Sequence, residues 1–113
     1  MTRVINIDSL LPSDRNLLYA GRLPGYLYVG RSRMQNLGRW GNRYSHRPSD
    51  LIGTIRVSSR EEAIRRHRED TLSDPKLVAK IRRVMRDKTL VCWCHPLPCH
   101  ADTYAEIANQ EEK

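Results

Sequence analysis

The chain has 113 residues, 39% of them hydrophobic and only 6% aromatic, which allows one modest core and little of a second. Its formal charge is +7 and sixteen of its twenty basic residues are arginine, so an anionic partner is favoured: a nucleotide, a phosphorylated metabolite or a nucleic acid. No apolar run is long enough to span a bilayer and Met1–Asp14 holds no apolar signal segment, so a membrane partner is set aside and a cytoplasmic address is expected.

In chain order, Arg3–Asp8 predicts a first short strand. Leu10–Gly25, broken by Pro12, Pro24 and two glycines, predicts a loop with at most one helical turn. Tyr26–Val29 predicts a strand that stops at Gly30. Gly30–Pro48 reads as a long structured loop, ordered by Trp40 and Tyr44. From Arg15 to Arg47 there are seven arginines and no acidic residue. Thr54–Val57 predicts another short strand.

Helix signals are sharper. Ser58 with Glu61 and Ser59 with Glu62 form overlapping capping-box patterns, followed by Ala63, Ile64, His67 and Thr71 at helical spacing. His67 faces inward and reads as a hydrogen-bonded core histidine. Asp74 caps a second helix with Pro75 at its first position and a stripe of Leu77, Val78, Ile81, Val84 and Met85. Thr89–Cys94 predicts a central strand buried on both faces. A last helix is expected from about His100 to Asn109, with Ala101, Tyr104, Ala105 and Ala108 inward. Strands alternating with helices predict one α/β domain over residues 1–113, with helices on a parallel or mixed sheet. Ligands of such sheets bind beyond the carboxyl ends of the strands, which points to the His95–Pro98 loop.

All three cysteines lie between Cys92 and Cys99, a clustering that suits reduced thiols, a metal or an active-site pair better than a disulfide scaffold. Strand alternation puts Cys92 and Cys94 on one face and Trp93 on the other. Pro96 and Pro98 stiffen the loop that follows. Cys99 and His100 fall at a helix start, where free N–H groups attract anions and favour thiolate. Three readings stay open: an anion-binding or catalytic pocket using Cys99, His100 and nearby arginines; zinc on Cys92, Cys94, Cys99 and either His100 or His95; or a purely structural corner. The spacing C-x-C-x4-C-H is not that of a common zinc finger or ribbon.

Tyr28-Val-Gly-Arg31, Gly41-Asn42-Arg43-Tyr44, Ser59-Arg60-Glu61-Glu62-Ala63-Ile64 and Leu90-Val-Cys-Trp-Cys-His-Pro-Leu-Pro-Cys-His-Ala-Asp102 together resemble an uncharacterised family of small bacterial and bacteriophage proteins, a domain of unknown function. That family's pattern runs G-R, G-N-P-[FY], an R-E-E-A-like helix start and C-W-C-x-P-x-x-C-H-[GA]-[DE]; here Arg43 stands where it usually has proline. The Cys-His turn is also similar to that of a second uncharacterised, Rossmann-like family with a Cys-His-Arg helix start. The resemblance implies a Rossmann-like domain with a role in nucleotide or phage nucleic-acid metabolism, and supplies no known reaction. It gathers Gly30, Arg31, Gly41, Asn42, Arg60, Cys94, Cys99, His100 and Asp102 as candidates for one pocket.

The leading expectation is a pocket for a phosphorylated nucleoside or similar small anion. Arg31 and Arg60 clamp the anion, and the backbone at Cys99 and His100 cradles it. Asn42 orients the ligand, and Trp40 or Tyr44 stacks on a base. Cys99 or His100 is the reactive group if chemistry occurs, with Asp102 orienting the imidazole. The alternatives are a nucleic-acid-binding module, with or without zinc, and a small adaptor or inhibitor that binds a host protein. The sequence names no cofactor and no oligomeric state.

Overall fold

The computed structural model describes residues 1–31, 40–48 and 53–110. Its chain order is β1 (Arg3–Asn6), a 3-10 turn (Ile7–Ser9), α1 (Pro12–Tyr19), β2 (Tyr26–Tyr28), β3 (Tyr44–Ser45), β4 (Ile55–Arg56), α2 (Arg60–Leu72), α3 (Pro75–Met85), β5 (Thr89–Cys92) and α4 (His100–Asn109).

β5 is the middle strand of a three-stranded parallel sheet ordered β1-β5-β2, and all four of its residues are buried. Leu90 and Cys92 face one side, against Ile81, Met85, Ala101, Tyr104 and Ile107 of α3 and α4. Val91 faces the other, against Ile7 of the 3-10 turn and Leu18 of α1. Helices therefore cover both faces, and the strand expected over Thr89–Cys94 is doubly covered as expected but ends at Cys92. Among the described residues no helix is long and apolar enough to cross a membrane.

Two helix starts follow their sequence signals. The Ser59 hydroxyl accepts from the Glu62 N–H, and Asp74 accepts from Lys76 and Leu77 ahead of Pro75. Ser58 is not the cap.

Three expectations need correction. The segment expected as loop contains α1, two turns long: Pro12 sits at the helix start, where a missing N–H costs nothing. Leu18 anchors that helix on the sheet, and the turn after it closes at Gly21, whose φ of 71° suits glycine. β1 ends at Asn6, not Asp8, because the Asn6 side chain accepts from the Asp8 N–H and bends the chain into the 3-10 turn. The segment read as one long loop contains β3, which pairs in parallel with β4; residues 32–39 of it, Arg33 and Arg39 among them, lie outside the described residues.

Candidate ligand-binding site

β2 and β5 run parallel, so their carboxyl ends open on the same side of the sheet. A cavity of about 580 Å³ lies there. Its sheet-side wall is the β5–α4 corner: Cys92, Trp93, Cys94, Leu97, Pro98, Cys99 and His100. The opposite wall is Asn42, Tyr44, Ser45, His46, Arg47 and Pro48, and the rest is Gly30 and Arg31 after β2 with Arg60, Ala63 and Ile64 at the start of α2. No Asp or Glu is among these described lining residues.

The corner is fixed from behind. Asn6 Nδ2 at the end of β1 donates to the carbonyls of Trp93 (3.0 Å) and His95 (2.8 Å), and the Leu97 N–H donates to the Cys94 carbonyl at 2.8 Å. The His95–Pro96 bond is cis. Because β5 ends at Cys92, the face alternation expected to turn Trp93 away from the cysteines does not continue; Trp93 lines the cavity with them.

His100 is buried, and both of its ring nitrogens have partners within the protein. Its Nε2 lies 2.7 Å from the Val29 carbonyl and 3.0 Å from the Trp40 carbonyl. Carbonyls only accept, so Nε2 carries the hydrogen and Nδ1 turns its lone pair toward Cys99 Sγ, 3.5 Å away. Burial holds the imidazole's pKa below its ordinary value. Asp102, expected to orient this ring, instead accepts from the Cys99 N–H at 3.1 Å and closes the start of α4. That bond also removes the Cys99 N–H from the expected anion cradle.

The three thiols lie close together. Cys99 is within hydrogen-bonding reach of both Cys92 and Cys94, and its single S–H, held by one or the other of these sulfurs, is harder to lose, which pushes its pKa up. The expected helix-start thiolate is thus overruled by neighbouring sulfurs. Cys94 gains: the Cys99 hydrogen bond, then Arg60 and Arg31, outweigh desolvation and draw its thiol down to about 6. Cys92 is lowered as well, to about 7, chiefly by its hydrogen bond with Cys99, but it is buried whereas Cys94 is half-buried at the cavity, so Cys94 is the more accessible of the two sulfurs. Among the described residues no group of three or more His, Cys, Asp or Glu side chains is arranged to hold a metal ion.

Arg31 reaches the cavity and also braces its opposite wall, donating from Nε to the Asn42 carbonyl (3.0 Å) and from NH2 to the Tyr44 carbonyl (2.9 Å). Asn42 is buried and held from two sides: Nδ2 donates to the Ala63 carbonyl and Oδ1 accepts from the Tyr44 N–H. It positions the wall rather than presenting its amide to a ligand. The Tyr44 hydroxyl donates to Asp70, which also receives Arg43 at 2.6 Å, so Arg43 is spent outside the cavity. Gly41 does not line the cavity, and neither does Trp40. Trp40 is 7% exposed, packs edge-on against Tyr104 and borders a separate recess of about 310 Å³. Its ring plugs the chain onto the core.

Of the candidate residues, the fold therefore brings Gly30, Arg31, Asn42, Tyr44, Arg60, Cys92, Cys94, Cys99 and His100 to one cavity and leaves Trp40, Gly41 and Asp102 outside its lining. Sequence reasoning missed His46, Arg47, Trp93 and Leu97. His46 and Arg47 carried no motif; the signal for Trp93 and Leu97 was a large apolar residue just before the predicted binding loop and another between its two prolines.

A parallel sheet covered by helices on both faces, with a basic crevice at the carboxyl ends of its strands, defines a small Rossmann-like α/β domain. The chain belongs to the family described as Domain of unknown function (DUF4326), which matches residues 19–110. No curated protein and no solved structure matches it.

Proposed function

We propose that this domain binds a phosphorylated nucleoside or a similar small anion in the cavity at the carboxyl end of β5. The observation that carries the reading is a crevice of about 580 Å³ lined by Arg31, Arg47 and Arg60 with no acidic side chain among its described lining residues. That volume lies in the range of small-molecule sites, roughly 300–1,000 Å³. Arg60 offers a planar fork from the first turn of α2, Arg31 offers a second from the end of β2, and such forks hold phosphate oxygens two at a time. Even with Cys94 ionised, the three guanidinium groups leave the crevice a positive balance. If the domain catalyses a reaction, Cys94 is the group poised as nucleophile, in place of the buried Cys99 and His100.

Calorimetric titration with inorganic phosphate and with nucleoside monophosphates tests this. Binding is expected for both, and Arg60→Ala is expected to weaken both by roughly tenfold to a hundredfold, the loss of a charged hydrogen-bond pair. Absence of binding by every one of these anions overturns the reading. Affinity for an oligonucleotide that falls by about 1,000-fold or more between roughly 50 and 200 mM salt would replace it with a nucleic-acid interface.

A further inference from the structure

Two large exposed apolar side chains, Trp93 (53% exposed) and Leu97 (55%), line the same cavity. An indole that stays this exposed forgoes the burial that usually recommends tryptophan. Yet its orientation is held: Nε1 donates to the Tyr28 hydroxyl at 2.8 Å. That hydroxyl in turn donates to the Arg31 carbonyl at 2.6 Å. One phenolic oxygen thus ties the aromatic rim to the residue that reaches the cavity as an anion clamp. The main chain beneath is pinned as well, through Asn6 to the Trp93 carbonyl.

We propose that Trp93, together with Leu97, is the subsite for a planar heteroaromatic ring whose attached phosphate lies between Arg31 and Arg60, which makes a nucleoside monophosphate the ligand class of this pocket. The proposal rests on the anion-binding reading above and adds to it where each half of the ligand goes. An apolar, flat, pre-oriented surface next to a pair of guanidinium groups matches the two chemically distinct ends of such a molecule. A free inorganic anion has no use for the ledge. Stacking on tryptophan tolerates any base, because every base offers a π face, so purine and pyrimidine nucleotides both bind.

The test compares adenosine monophosphate, uridine monophosphate and inorganic phosphate by calorimetry on the wild-type chain and on Trp93→Ala. Wild type is expected to bind both nucleotides at least about tenfold more tightly than phosphate, and Trp93→Ala to bring them down to the phosphate value while leaving phosphate itself unchanged. A readout on wild type alone covers the case in which the variant fails to fold. The chain has two tryptophans, and Trp40 is buried, so the solvent-exposed emission belongs to Trp93. Nucleotide should quench that emission and phosphate should not. Phosphate binding without any nucleotide preference, or nucleotide binding that ignores Trp93→Ala and leaves the emission unchanged, overturns the ledge and leaves the anion pocket standing. Failure of all three ligands overturns the pocket itself.

Discussion

The two walls of the cavity are built by different physics. The β5–α4 corner grows out of the core: β5 is buried along its whole length, and α4 contributes His100, Ala101, Tyr104, Ile107 and Ala108 to the interior. The facing wall, Asn42 to Pro48 with Trp40 as its anchor outside the cavity, has a two-residue strand and a small apolar cluster of Tyr44, Val57 and Ala63. It is held by directional polar links instead: Arg31 to two of its carbonyls, Asn42 to α2, and His100 and Tyr104 to the Trp40 carbonyl. A wall made by burial resists changes of pH and charge. A wall latched by donors on carbonyls depends on each donor keeping its hydrogen and its place.

The sharpest way to break the contrast is His100→Ala. It leaves the Val29 and Trp40 carbonyls without their imidazole donor in a dry interior and opens a void, and should cost about 3–5 kcal/mol by chemical denaturation. A cost under about 1 kcal/mol would mean that the latch contributes little.

Acid attacks the same latch next. His67 Nε2 lies 2.9 Å from the Tyr104 hydroxyl, its Nδ1 is buried without a partner, and desolvation followed by the nearby His100 lowers its pKa from 6.5 to about 3. Above pH 6.5 the ring is neutral in both folded and unfolded chains. Below it the unfolded chain takes up a proton that the fold refuses, so stability falls as pH drops from 6.5 toward 3. At pH 5 this histidine alone should cost about 2 kcal/mol, with His100 adding in the same direction. Denaturation midpoints across pH 7 to 5 check this, and a flat profile would contradict it.

The smallest effect separates two arginines of the same site. Arg31→Ala should lower stability by about 1.5–3 kcal/mol because it unlatches the wall, whereas Arg60→Ala, which makes no such bonds to carbonyls among the described residues, should melt like the parent chain. Equal melting temperatures for the two variants would erase the distinction between latch and clamp.

What could be read from the sequence divides along the same line. The corner was legible: the run Thr89–Cys92 and the helix beginning at His100 are local patterns, and the rule for parallel sheets then points to their carboxyl end. The facing wall was not, because no periodicity announces two-residue strands, and its shape depends on side chains that reach across from Arg31 and His100. Electrostatics failed for a related reason. Cys99 does stand at a helix start, but its ionisation is decided by Cys92 and Cys94, whose proximity only the folded turn creates. Likewise the arginine-rich stretch scattered on folding: Arg15 lies near Asp8, Arg43 pairs with Asp70, and only Arg31 and Arg47 of its described members line the cavity.

One glycine carries a consequence for related sequences. A methyl group at position 30 would stand 2.5 Å from the Tyr28 hydroxyl oxygen and 2.7 Å from its ring, in the space where that phenol folds back. Positions 28 and 30 are therefore expected to vary as a unit: a chain of this fold that carries any larger residue at 30 must swing the tyrosine away or lose it, and the indole just beyond the neighbouring strand loses its hook with it. Kin of this protein can be sorted on that pair alone, before any of them is expressed, into those that keep an oriented tryptophan over the crevice and those that leave it loose.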